Sequence, residues 1–359
     1  MKPLTVWRTG RRRVRAGVLT GLLLLGLVSC SSGGDETVVQ VWDGSSSSPS
    51  PSASGTEIKA ESKETYLHPD GQYFGVSTFH APARATTAAA YRASGRHPRI
   101  LSYYQGWKQS FSASDAELSY KQGALPLLTW EPRGANLDSD QPQYSLKRIT
   151  SGYYDSYIIE FARDVKATGR PLALRFAHEM NGDWYPWSEV NSGNSRGDYV
   201  KAYRHIHDLF QAVGATDVIW IWSPNALRGA KGVALKPLYP GDRYVDWVGI
   251  DGYGFGEKTA TEVLQPTLDE VRQFSGKPVL LTETGSSPGS QQPGWTADLF
   301  RWLKATPNVI GFVWFQHSVD EGGQYDYRFD INPTTKAAFR HGLDSLHLRS
   351  WPVANVVTQ

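Results

Sequence analysis

Pro171-Leu172-Ala173-Leu174-Arg175-Phe176-Ala177 runs straight into His178-Glu179-Met180-Asn181-Gly182-Asp183-Trp184-Tyr185-Pro186-Trp187. The first seven residues are a short, mostly apolar run, the pattern of a buried strand. The run ends abruptly in His, Glu and Asn, then a glycine turn, then three aromatics. Convergent polar groups beside an aromatic wall, at the end of a buried strand, are how a barrel mouth becomes a binding cleft. Taken alone, the same residues also fit a salt-bridged strand end over an aromatic core. The rest of the chain decides between the two.

Working outward, eight short apolar runs read as strands, at 73–79, 99–104, 125–130, 171–177, 218–222, 245–250, 278–282 and 309–315. Helical patterns lie between most of them. The one at 112–122 opens on Ser and Asp, and the one at 149–168 stops at Gly169. Others fall at 199–213, 261–274, 295–304 and 334–346. Between strands five and six, the proline-bearing stretch 230–239 has room only for a short helix. This alternation, over about 280 residues, predicts an α/β fold, a single (β/α)8 TIM barrel at 66–350, rather than a doubly wound sheet. No strand is followed by a glycine-rich phosphate or dinucleotide loop.

The 359 residues include 13 Trp and 18 Tyr, a supply of flat rings suited to stacking on sugars. The net charge of +2 conceals an asymmetry. Lys2, Arg8, Arg11, Arg12, Arg13 and Arg15 crowd the first 29 residues, which hold no acid, so the remainder is mildly acidic. Such a surface offers no electrostatic footprint for nucleic acid. After the basic start, an apolar stretch at 16–28 carries Leu22-Leu23-Leu24-Leu25 and closes on Leu27-Val28-Ser29-Cys30. It is too short to span a bilayer but suits a signal-peptide core, and its end resembles the bacterial lipobox. The expectation is a lipoprotein signal peptide at 1–29, with Cys30 lipidated and the protein held by that anchor outside the cytoplasmic membrane. Cys30 is the only cysteine, so no intrachain disulfide supports the fold. Residues 30–65 read as a Ser/Gly/Pro-rich tether, interrupted by an apolar patch at 38–42, and 351–359 as a tail.

Barrels of this kind carry their active sites at the C-terminal strand ends. Here those ends supply Tyr104 and Trp107, Trp130 and Glu131, His178 and Glu179, Trp222 and Asn225, Asp251 and Tyr253, Glu283, and finally Trp314, Gln316 and His317. Carboxylates among aromatics, without a metal or nucleotide motif, point to hydrolysis of glycosidic bonds. One carboxylic acid protonates the leaving oxygen, and a second carboxylate attacks the anomeric carbon or activates water. Glu131, Glu179, Asp251 and Glu283 are the candidates. Strands four and seven face each other across an eight-strand barrel, which favours Glu179 and Glu283 at the separation of about 5–5.5 Å that retention requires. His178-Glu179 lacks the second His of a zinc helix, Gly285-Ser286-Ser287 is not a nucleophile elbow, and the acids at 320–330 miss the calcium-loop spacing. No metal or other cofactor is expected.

These residues resemble glycoside hydrolase family 26. His178-Glu179-Met180-Asn181-Gly182 with Trp184, and Thr282-Glu283-Thr284-Gly285, match its two signatures, and the resemblance covers roughly residues 70–350. It implies Glu179 as acid/base and Glu283 as nucleophile. His178 would lie near the sugar 2-hydroxyl or the nucleophile, and Trp184 would stack on the leaving-group side. Asp251 and Tyr253 would orient Glu283 and the reacting sugar, with Trp314 as the platform beneath it. Trp107 and Trp130 complete the candidate sugar contacts. The family acts on β-mannan, mixed-linkage β-1,3-1,4-glucan and β-1,3-xylan. Trp184-Tyr185-Pro186-Trp187, and Phe315 where mannanases carry Arg, resemble the glucanase branch. The expected activity is that of a monomeric retaining endo-β-glycanase acting on a polysaccharide, with β-1,3-1,4-glucan favoured. A non-catalytic surface protein that binds polysaccharide is the reading from another class.

Overall fold

The computed structural model describes residues 62–230 and 232–351. Cys30, the expected signal peptide, nearly all of the expected tether and all of the tail beyond Trp351 lie outside the described residues. The chain runs α1 (Glu64–Leu67), β1 (Tyr73–Thr78), α2 (Arg84–Ser94), β2 (Ile100–Gly106), α3 (Ala113–Lys121) and β3 (Leu125–Glu131). Next come α4 (Leu146–Thr150), α5 (Asp155–Ala167), β4 (Leu172–Phe176), α6 (Asp198–Val213), β5 (Val218–Trp222) and β6 (Trp247–Gly254). Then follow α7 (Ala260–Arg272), β7 (Val279–Ser286), α8 (Gln292–Ala305), β8 (Val309–Gln316) and α9 (Pro333–Asp344). All eight strands pair in parallel in sequence order, and β8 pairs with β1 to close the barrel.

Period-two alternation divides the strand side chains between two cores. In β3, Leu125 and Leu127 join the inner cluster, while Leu128 and Trp130 join the layer under the helices. In β5, Ile219 and Ile221 face in, and Trp220 and Trp222 face the helices. A third, small aromatic cluster of Tyr253, Phe315 and Tyr327 lies apart from both.

Local chemistry accounts for the element ends. Ser112 caps α3 by accepting from the Asp115 amide, and Thr259 and Glu262 form a reciprocal capping box on α7. Gly214, in a left-handed conformation, ends α6. Two expectations need correction. The helix read at 149–168 is two helices, α4 and α5, separated by a turn through Gly152 at positive φ. Helix α2 was not anticipated: its alanine-rich sequence lacks a strong apolar stripe and a side-chain cap. The barrel unit also starts earlier and ends later than 66–350, because α1 begins at Glu64, and Trp351 packs on Tyr66 and Tyr120.

Strands β6 and β7 run further than expected, so Asp251, Tyr253 and Glu283 lie within them. The pairing register shifts between Ile250 and Asp251, and again between Leu281 and Thr284. Such irregularities re-aim side chains. Here the consecutive residues Thr282 and Glu283 both reach polar groups inside the barrel mouth.

Candidate active site

Strand β4 ends at Phe176, and the next residues leave the regular ladder. Ala177 (φ 46°) and Glu179 (φ 53°) occupy the left-handed region, unusual for side-chain-bearing residues. Their amides donate to the Trp130 and Ser223 carbonyls at 3.1 and 2.7 Å, and Trp187 Nε1 donates to the His178 carbonyl at 2.6 Å. The strained turn is thus held by three neighbouring elements, as strain at a working site must be. It turns Glu179 into the mouth.

The Glu179 carboxylate meets two donors: Trp184 Nε1 to Oε2 at 2.8 Å and Asn225 Nδ2 to Oε1 at 2.7 Å. Asn225 is set by a reciprocal pair, its amide donating to Asn181 Oδ1 and Asn181 Nδ2 donating to its carbonyl. Gly182 is required for the Trp184 arrangement: a Cβ there would sit 2.4 Å from the indole. Burial, and then the charge of Glu283, push the Glu179 pKa up to about 7, against the pull of its two donors and of Arg175.

Glu283 is held differently. Tyr104 Oη and Tyr253 Oη donate to its two oxygens at 2.6 Å each, and Arg175 Nη2 donates to Oε1. Arg175 also donates through Nη1 to both Asp251 oxygens, at 2.8 and 2.9 Å, and through Nε to Thr129. Burial pushes the Asp251 carboxyl up and would lower the Arg175 pKa, but the contacts of Arg175 with both Asp251 oxygens and with Glu283 hold the guanidinium charged. Thr282 Oγ1 completes the Asp251 shell at 2.7 Å.

His178, buried beside Tyr185 and Trp187, has its pKa pushed well down, first by burial and then by the Arg175 and Arg133 charges. It is therefore neutral, with Nε2 4.0 Å from Glu283 Oε1. His178, Asp251 and Glu283 bring potential ligand atoms within 4.8 Å of one another. The positive charge that the two acids call for there is supplied by Arg175 from within the chain.

Three of the four candidate carboxylates thus meet an arginine, and among them Glu283 alone also takes two tyrosine hydroxyls. Asp251 is bound to Arg175, and Glu131 accepts from Arg133 Nε and Nη2 at 3.1 and 2.8 Å in a buried pair. Glu179, just past β4, and Glu283, in β7, are the pair that reach the mouth from opposing strands, one with a raised pKa and the other held by Tyr104, Tyr253 and Arg175.

Sequence reasoning placed Glu179, Glu283, His178, Trp184, Asp251 and Tyr253 in one cluster, and the structure brings them together. It does not bring in Trp107, Trp130 or Trp314. Trp130 points outward, stacked on Phe161 at 4.3 Å, and Trp107 packs on Trp130 at 5.1 Å. Trp314 also points outward, 5.1 Å edge-on to Phe339 of α9, with Nε1 donating to the Tyr327 carbonyl. The reason is strand parity: Thr129 and Phe315 hold the inward positions beside Trp130 and Trp314. Phe315 is itself fully buried, stacked 4.1 Å from His317, so its ring offers no open face. Arg175 was missed as a site residue, although a lone charge inside an apolar strand signals a buried partner. Tyr104 was noted only as a strand end, and Asn225 only as a contribution of strand five.

The profile of glycosyl hydrolase family 26 matches residues 126–290, a stretch holding both Glu179 and Glu283. The chain is 32% identical over 275 residues to endoglucanase H of Acetivibrio thermocellus, covering 73% of this chain and 29% of that protein. It is 31% identical over 194 residues to a mannan endo-1,4-beta-mannosidase of Bacillus subtilis, covering 45% of this chain and 52% of that one. The chain therefore spans about half or less of the length of these two relatives. Among solved structures, a modular endo-beta-1,4-mannanase from Cellulomonas fimi superposes with a TM-score of 0.61 at 18% identity, over 79% of this chain and 75% of that one, a likeness of fold.

Proposed function

The chain belongs to glycosyl hydrolase family 26, and from that premise we propose that it is a retaining endo-β-glycanase, with mixed-linkage β-1,3-1,4-glucan as its favoured substrate. The observation that carries the reading is the contrast between Glu179, with its pKa near 7, and Glu283, fixed by Tyr104, Tyr253 and Arg175. One carboxyl that holds a proton and a second fixed in place for attack are what double displacement needs. Glu283 attacks the anomeric carbon while Glu179 gives its proton to the departing oxygen. Glu179, now ionised, then takes a proton from water as that water displaces Glu283, and the β configuration is restored. Tyr104, Tyr253 and Arg175 hold the nucleophile in line, and neutral His178 is available to a sugar hydroxyl.

Two features support glucan over mannan: the Trp184-Tyr185-Pro186-Trp187 stretch, and the alignment with a protein named endoglucanase over 73% of this chain. One experiment tests both levels. Proton NMR of the first product from barley β-glucan should show the β-anomer, and an α-anomer rules out retention. With the same preparation, kcat/KM on β-glucan should exceed that on galactomannan. A preference for mannan of about tenfold, roughly 1.4 kcal/mol in the transition state, would overturn the substrate assignment.

The location is proposed from sequence alone: Cys30 carries a lipid that holds the barrel outside the cytoplasmic membrane. Cells expressing wild type should keep the protein in the membrane fraction, and Cys30→Ser should release it. Equal release of both would remove the anchor from this account.

A further inference from the structure

The third aromatic cluster stands on the Glu283 flank of the mouth, with Tyr104 and Phe255 packed against it. Its inner members are buried, but two rings at its edge reach solvent. Phe255, just past β6, is partly exposed, and Tyr325, in the loop after β8, is 41% exposed. Their centroids are 5.7 Å apart and their planes tilted by 49°, and Phe255 lies 6.1 Å from Tyr253 with those two planes 27° apart. Tyr253 is the residue whose hydroxyl holds Glu283. An unbroken path of rings therefore leads from the nucleophile outward to the surface.

This path is mounted rigidly. Arg228 donates to the Tyr253 carbonyl at 3.2 Å and to the Phe255 carbonyl at 2.7 Å, and its guanidinium lies 5.5 Å from the Phe255 ring centre. The loop bearing Tyr325 is tied to the end of β8 by the Tyr327 amide, which donates to the His317 carbonyl at 2.9 Å. Holding an apolar pair at a cleft edge costs free energy unless something covers it. Two rings are far too small a patch for a stable protein partner, but they match the C–H face of a sugar.

We propose that Phe255 and Tyr325 form a stacking platform for a glycone-side sugar of the polysaccharide, beyond the sugar that reacts; this rests on the glycosidase reading above. The side follows from the chemistry. Glu283 bonds to the anomeric carbon, so the glycone lies over Glu283 and its tyrosine partners. Glu179 and Trp184, across the mouth, take the leaving group. The platform also supplies the solvent-facing rings that buried Phe315 does not.

The test uses aryl β-glucosides with glycones of one to four sugars, assayed with wild type, Phe255→Ala and Tyr325→Ala. Wild-type kcat/KM should rise at the length that first reaches the platform. In both variants that step should shrink by about tenfold, through KM, while the shorter substrates are cleaved as before. Unchanged turnover of the short substrates also reports that Tyr253 and Glu283 remain in place. A step that survives in either variant, or an equal loss at every length, overturns the platform. If wild type cleaves none of the series or of the polysaccharides, the glycosidase reading fails and the platform falls with it.

Discussion

Glu179 shows how single contacts set the chemistry. Burial and the facing Glu283 charge favour its protonated form, while Trp184 and Asn225 favour the ionised one. The balance falls at about 7. A general acid must hold its proton, so kcat/KM should fall as pH rises through that value. Trp184→Phe removes the N–H that stabilises the charged form and keeps a ring in place. The pKa should then rise further and carry the alkaline limb of the kcat/KM profile to higher pH. A limb that stays put, or moves down, would show that the indole bond does not tune the acid. Arg175 supplies the opposite lesson. Its charge is sealed between Asp251 and Glu283, so one guanidinium fixes both carboxylates in place.

Strand β8 shows what an element reveals in sequence and what it conceals. Its apolar run at 309–315 was legible, as were the other seven strands and most of the helices, because buried strands and capped helices leave periodic patterns. The site acids were legible for a related reason: Glu179 and Glu283 interrupt apolar runs exactly where strands reach the mouth. Parity was not legible in β8, where Val313, Trp314 and Phe315 are all apolar and either phase satisfies the pattern. The turn at Ala177–Glu179 and the register shifts in β6 and β7 were also hidden, because they arise from contacts between strands. The parity of β8 is open to direct measurement. Trp314→Phe keeps an aromatic against Phe339 but loses the bond to the Tyr327 carbonyl, which should cost about 1–3 kcal/mol of stability. KM on polysaccharide should not change. A raised KM with an unchanged melting temperature would return Trp314 to the cleft.

At the scale of the whole molecule, the two ends of the barrel do different work. The C-terminal rim gathers the acids, the tyrosines and the strained turn. The opposite end is closed by both ends of the described chain. Tyr66 is fully buried in the inner core and meets Trp351 at 5.7 Å, and its carbonyl accepts from Tyr73 Oη. Trp247 Nε1 donates to the Leu67 carbonyl, Lys63 pairs with Asp246 at 3.1 Å, and Arg349 donates to the Thr65 carbonyl. Conservative chemistry at this end serves stability, as expected for the bottom of such a barrel. Tyr66→Ala would open a cavity beneath Tyr73 and Trp351, at a cost of about 3–5 kcal/mol if it behaves like other buried aromatics. In a domain of this size that lowers the melting temperature by roughly ten degrees. Glu179, Glu283 and Arg175 lie at the other end, so kcat/KM below the melting range should match wild type. Thermal melts and assays on one preparation decide the matter. A loss of kcat/KM without a loss of stability would mean that the plug reaches the chemistry, and that the barrel does not separate its two tasks between its two ends.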